Sequence, residues 1–196
     1  MNFLQSLYPL LAAAALGGCA ATSSPYGAPP DTSDPWQLIH HARGWLQQGR
    51  PRGALPSLQK AQVEVEKLDH GTAGYSHAKA AIHNELGRVY EMVSDLDTAE
   101  AQFLEAAEVG KNVPERRPLH FDIRYNLSTV YERKAQLAES CAQLQRAVAL
   151  LQDLLARPAE PPDGYGADSE RFLREVAAPR ILARAQRIKC DIRLTD

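Results

Sequence analysis

Between Glu85 and Glu108 the chain reads ELGRVYEMVSDLDTAEAQFLEAAE. Apolar and small residues recur at helical spacing, the pattern breaks at SDLD, and then it resumes. Two short amphipathic helices joined by a tight turn give this pattern. A lone hairpin of that size buries too little apolar surface to stand in water, so it must lean on neighbours. The flanks supply them. In the centre, His83, Leu86, Gly87 and Tyr90 are followed nine residues after the tyrosine by Ala99, then Phe103 and Ala106. Upstream, Leu38, His41, Ala42 and Trp45 precede Ala54, Leu58 and Ala61 at the same spacing. Downstream, Arg124, Leu127, Ser128 and Tyr131 precede Ser140, Leu144 and Ala147. The same order of large, small and aromatic positions thus occurs three times, with offsets of 45 and 41 residues.

The residue types have a packing logic. Gly87, Ala42 and Ser128 let the second helix approach the first. Tyr90, Trp45 and Tyr131 lie one turn on and cover the connection. Ala99, Ala54 and Ser140 open the second helix and must be small. Phe103, Leu58 and Leu144 fill the space between the helices. The offsets require longer helices or loops, and Asp69–His77 (DHGTAGYSH) and Asn112–Phe121 (NVPERRPLHF) read as loops by their Gly and Pro content. Beyond them, Phe172, Leu173, Val176, Ile181, Leu182, Ala185, Ile188 and Ile192 form an amphipathic pattern that Pro179 should kink or divide. Open hairpin stacks need such a cap.

The central copy, L-G-x-x-Y followed by A-x-x-x-F-x-x-A, resembles the tetratricopeptide repeat (TPR). The resemblance covers about residues 35 to 155 and implies an all-α, TPR-like solenoid of three hairpins with a C-terminal cap. Repeats are expected over 35–68, 80–113 and 121–154, within a domain spanning 35–157, followed by a loop over 158–167 and the cap over 168–196. In the family the first helices line a concave groove that binds proteins or peptides. Carried over, the groove face holds Arg43 and Gln47, then Asn84, Arg88 and Glu91, then Tyr125, Thr129 and Arg133. Arg43 and Arg88, equivalent in adjacent repeats, suit an acidic peptide or a terminal carboxylate. The Lys/Asn pattern by which some TPR proteins clamp a C-terminal carboxylate is absent, since Ile39 and Arg43 stand in its place. The alternative is solvated helix polarity, with Glu85, Glu91, Asp122 and Glu132 nearby.

The N-terminus is a separate object. FLQSLYPLLAAAALGGCA is uncharged and apolar, short for a membrane span of roughly 20 residues and suited to an export signal. Its end, Leu16, Gly17, Gly18 and Cys19, resembles the lipobox of bacterial lipoproteins, although no Lys or Arg precedes the apolar run. That resemblance implies a signal peptide over 1–18, removal before Cys19 and acylation (palmitate) of Cys19. Ala20 in place of Asp implies sorting to the outer membrane, facing the periplasm. Residues 19–34, rich in Pro, Ser, Thr and Ala, read as a flexible tether.

The net charge of −2 argues against a nucleic-acid partner held by a broad basic field. With no phosphate loop, nucleophile elbow or HExxH spacing, the sequence offers no catalytic residue, cofactor or metal site. Nothing in it specifies an oligomeric state. Export would permit a disulfide between Cys141 and Cys190. The alternative is two buried thiols, and a continuous antiparallel cap helix would carry Cys190 about 10 Å past Cys141, at 1.5 Å per residue. The resemblance implies a non-enzymatic scaffold of pilus- or secretin-assembly type. The alternatives are an adaptor for peptidoglycan-active enzymes and an accessory subunit of a periplasmic enzyme.

Overall fold

Seven α-helices and no strands form among the residues that the computed structural model describes, 28–113, 117–156 and 173–192. They are α1 (Pro35–Gln47), α2 (Pro51–Val65), α3 (Ala73–Met92), α4 (Leu96–Gly110), α5 (Arg117–Arg133), α6 (Leu137–Ala156) and α7 (Ala178–Arg187). A π-helical turn, Leu173–Ala177, runs directly into α7, and Pro179 lies just past the junction. The described residues are all-α, as composition and periodicity predict. The expected signal peptide, Cys19, the tether up to residue 27 and the loop over 158–167 lie outside the described residues.

Local chemistry sets the helix starts. Asp34 caps α1 by accepting from the Trp36 amide, Thr72 caps α3 through Tyr75, and Asp95 caps α4 through Thr98. Prolines 35 and 51 supply the pre-set φ of a first helical residue. The three hairpin turns share one solution. Gly49, Ser94 and Ala135 adopt left-handed φ of 70°, 66° and 59°. The next amide in each case donates to the carbonyl of the aromatic residue, Trp45, Tyr90 or Tyr131. This closure satisfies carbonyls that the helix end leaves bare. The turns stand 45 and 41 residues apart, the offsets read from the sequence.

Consecutive helices pack in chain order from α1 to α6, α1 and α5 each also touch α3, and α7 lies on α6. Leu38, Ile39, Leu58, Ile82, Phe103 and Leu127 anchor one apolar cluster spanning α1 to α5. A second joins Phe121, Leu144 and Leu151 to Ile181 and Ala185 of α7. Each fully buried large side chain contributes about 1.5–3 kcal/mol. Ala54, Ala99 and Ser140 are all fully buried and occupy the fourth position of α2, α4 and α6. A Cβ added to Gly87 would stand 2.6 Å from the Phe103 ring, and one on Gly53 would stand 2.8 Å from the Trp45 ring.

Three expectations are corrected. Asp69–His77 is not all loop: the Asp69 side chain accepts from the Gly71 amide, and Thr72 then starts α3 at Ala73, so Gly74 to His77 are helical. Phe121 and the four residues before it belong to α5. The added length between copies thus goes largely into longer first helices, and the second and third units begin earlier than 80 and 121. Third, Cys190 does not overshoot. The chain leaves α7 at Ile188 and turns back through Lys189, at φ 56°, so Cys190 meets Cys141 with Cα atoms 5.4 Å apart in a disulfide.

Candidate functional site

The first helices of the hairpins and the start of the cap converge on one recess. Arg43 comes from α1, Asn84, Glu85 and Arg88 from α3, and Phe121, Asp122, Tyr125 and Asn126 from α5. Ala177 and Arg180, at the entry to α7, close one side of this half-open recess of about 290 Å³. At its base Glu85 is 1% exposed. Its two carboxylate oxygens are held separately, one by Arg43 Nε at 2.8 Å and the other by Arg88 Nη1 at 2.6 Å. A carboxylate this deep is tolerable only because both oxygens accept charge-assisted bonds. Beside it, buried Asn84 accepts a 3.1 Å bond from Asn126. The Phe121 and Tyr125 rings lie nearly parallel, 6.3 Å apart, and form an apolar wall.

Asp122 faces the same space. It is open to solvent through the mouth of the recess and walled by protein elsewhere. Partial loss of bulk water against the recess wall raises its carboxyl above the ordinary aspartate range; Glu85 adds to the rise, while Arg43 and Arg88 oppose it.

The cap is clasped onto α5 by arginines. Arg184 lies 4.6 Å over the Tyr125 ring and donates to the hydroxyls of Ser128 and Thr129. Arg187 grips Glu132 with two bonds, at 2.5 and 3.0 Å, and this donation holds the Glu132 carboxyl below its ordinary range.

Of the groove residues expected from the sequence, Arg43, Asn84, Arg88 and Tyr125 line the recess. The other four do not. Gln47 is exposed one turn beyond Arg43. Thr129 receives Arg184. Glu91 pairs with Arg133 at 2.7 Å, and Arg133 also donates to the Ser94 hydroxyl, which ties the α3–α4 turn to the end of α5. Arg43 and Arg88 share Glu85 rather than standing as a bare cationic pair. The sequence reads Glu85 and Asp122 only as nearby solvated acids, and it does not point to Phe121, Asn126, Ala177 or Arg180. One signal could have found two of them: Arg43–Glu85, Asn84–Asn126 and Glu91–Arg133 are each separated by 42 residues, close to the repeat offsets.

Among the described residues no group of three or more His, Cys, Asp or Glu side chains is placed to hold a metal ion. His83 bonds Gln102 across the α3–α4 interface at 2.9 Å. No described helix is long and apolar enough to cross a membrane. The chain matches no protein-family model, and comparison with curated proteins finds no match.

Proposed function

We propose that this protein is a non-catalytic, protein-binding scaffold, a TPR-like α-solenoid of three hairpins with a helical cap. Acylation of Cys19 tethers it to the periplasmic face of a bacterial outer membrane. There it helps assemble or localise an envelope complex of pilus or secretin type.

One observation carries the reading. The three first helices and the cap contribute side chains to a single recess that offers guanidinium, carboxamide, carboxyl and aromatic groups together. Such mixed lining suits a segment of another protein, which presents backbone amides, charges and apolar side chains at once. The LGGC stretch supports the tether, since acyl chains contribute about 0.8 kcal/mol per buried CH₂ and two or more anchor a protein stably.

Membrane fractionation with crosslinking in whole cells tests the reading. The wild-type chain is expected in the outer-membrane fraction with one abundant crosslinked protein. Cys19→Ala is expected to leave that fraction. A wild-type chain found in the soluble fraction would refute the tether, and the absence of any crosslinked protein would refute the scaffold.

A further inference from the structure

The recess is basic although the chain carries a net charge of −2. Arg43, Arg88 and Arg180 supply three guanidiniums against two carboxylates, Glu85 and Asp122. Each Glu85 oxygen already accepts from an arginine, and the side chain is only 2% exposed, so Glu85 is not presented to a ligand. The Arg88 side chain remains 34% exposed, and a guanidinium carries five donors, more than one carboxylate oxygen can engage. Arg180 stands exposed at the rim and has no ion-pair partner among the described residues. Asp122 likewise has none. With Glu85 neutralising one arginine, a positive excess remains even when Asp122 is ionised.

We propose that this recess is a carboxylate-binding site, taking an acidic side chain or a C-terminal carboxylate of a protein segment between Arg180 and the Arg43–Arg88 pair, with the Asp122 carboxyl beside it. The proposal rests on the protein-binding reading above and names the chemistry of what is bound.

Two carboxyls side by side cannot both ionise cheaply, so one proton is shared between them. Asp122 is the group suited to take it up, already raised by confinement and by Glu85. The groups facing it are Arg43 on α1, Glu85 and Arg88 on α3, Tyr125 on its own helix and Arg180 at α7; among the described residues no histidine lines the recess. Entry of a carboxylate raises Asp122 further, so binding takes up a proton and affinity falls as pH rises through the range in which free Asp122 loses its proton. One linked proton sets a ceiling of about tenfold per pH unit.

The test is fluorescence anisotropy with the full chain in detergent and four labelled peptides of otherwise identical sequence. One has glutamates and an amidated C-terminus. One is neutral with a free C-terminus. One is neutral and amidated, and one carries phosphoserine in place of glutamate. The glutamate peptide or the free C-terminus should bind, and which of them does so identifies the source of the carboxylate. The neutral amidated peptide should not bind. Arg180→Ala should weaken binding about tenfold, the loss of one charge-assisted bond. Asp122→Asn should keep binding and abolish its pH dependence. Both residues are exposed, and unchanged circular dichroism verifies that the variants fold.

Equal binding of the neutral amidated peptide, tighter binding of the phosphopeptide, or an Arg180→Ala chain that binds like wild type would each overturn the carboxylate assignment. So would failure of all four peptides. If such a failure came with a partner still crosslinked from the recess side in cells, the scaffold reading would stand without the carboxylate.

Discussion

Gly87→Leu is expected to lower the stability of the protein by about 3 kcal/mol, the upper end of the usual overpacking cost. A Cβ alone would lie 2.6 to 2.8 Å from three atoms of the Phe103 ring, and that ring is fully buried with nowhere to move. At about 2–4 °C per kcal/mol for a chain of this size, the melting temperature should drop by about 6–12 °C. The smaller change Gly87→Ala separates this contact from generic helix effects. In an open helix, alanine for glycine stabilises by about 0.5–1 kcal/mol. Here it should destabilise, and the sign should revert when Phe103 is first shortened to Ala, which leaves room for the new methyl group. Thermal melts of the four chains complete a double-mutant cycle. A stabilising Gly87→Ala in the wild-type background would show that α3 and α4 do not meet at Gly87 and Phe103.

The second large effect concerns the cap. Removing the Cys141–Cys190 disulfide by a paired change to alanine should cost on the order of 4 kcal/mol, from loop-closure entropy over a separation of 49 residues. The loss should be local before it is global. The apolar cluster holding α7 is the smaller of the two, and its remaining clasp on α5 is largely arginine chemistry at partly exposed positions. Trypsin should therefore cut the reduced chain after Arg180, Arg184 or Arg187 well before it attacks α1 to α5. Because Arg180 rims the recess, the same treatment should weaken ligand capture. An unchanged melting temperature and unchanged proteolysis on reduction would show that the cap is held without the bridge.

Much of the helical framework could be read in the sequence, because it is set by positions that repeat. Buried small residues at the fourth position of three second helices and an aromatic carbonyl closing each turn recur at offsets of 45 and 41 residues. The recess was only half legible. Arg43, Asn84, Arg88 and Tyr125 follow from helix phase, since they lie opposite the packed face. Glu85 is adjacent to Asn84 and reads as a solvated acid; only its burial between two arginines from different helices changes its role. Arg180 and Ala177 enter from a part of the chain outside the repeats, so no repeat alignment reaches them. Glu91 and Arg133 share the right helix phase, yet they bond each other across the α3–α5 contact and do not line the recess. The position of Cys190 depended on a left-handed residue, Lys189, that no glycine announces.

The central claim is that the face carrying the recess, and not the rest of the surface, captures a protein partner. Site-specific photocrosslinking in living cells tests it most directly. A photoreactive side chain is placed at Gln47, exposed one turn along α1 from Arg43. In a second chain it is placed at Val63, 60% exposed on α2. The account predicts one discrete protein adduct from position 47, lost in Arg180→Ala, and none from position 63. The same adducts from both positions, or none from position 47 while position 63 reacts, would contradict it.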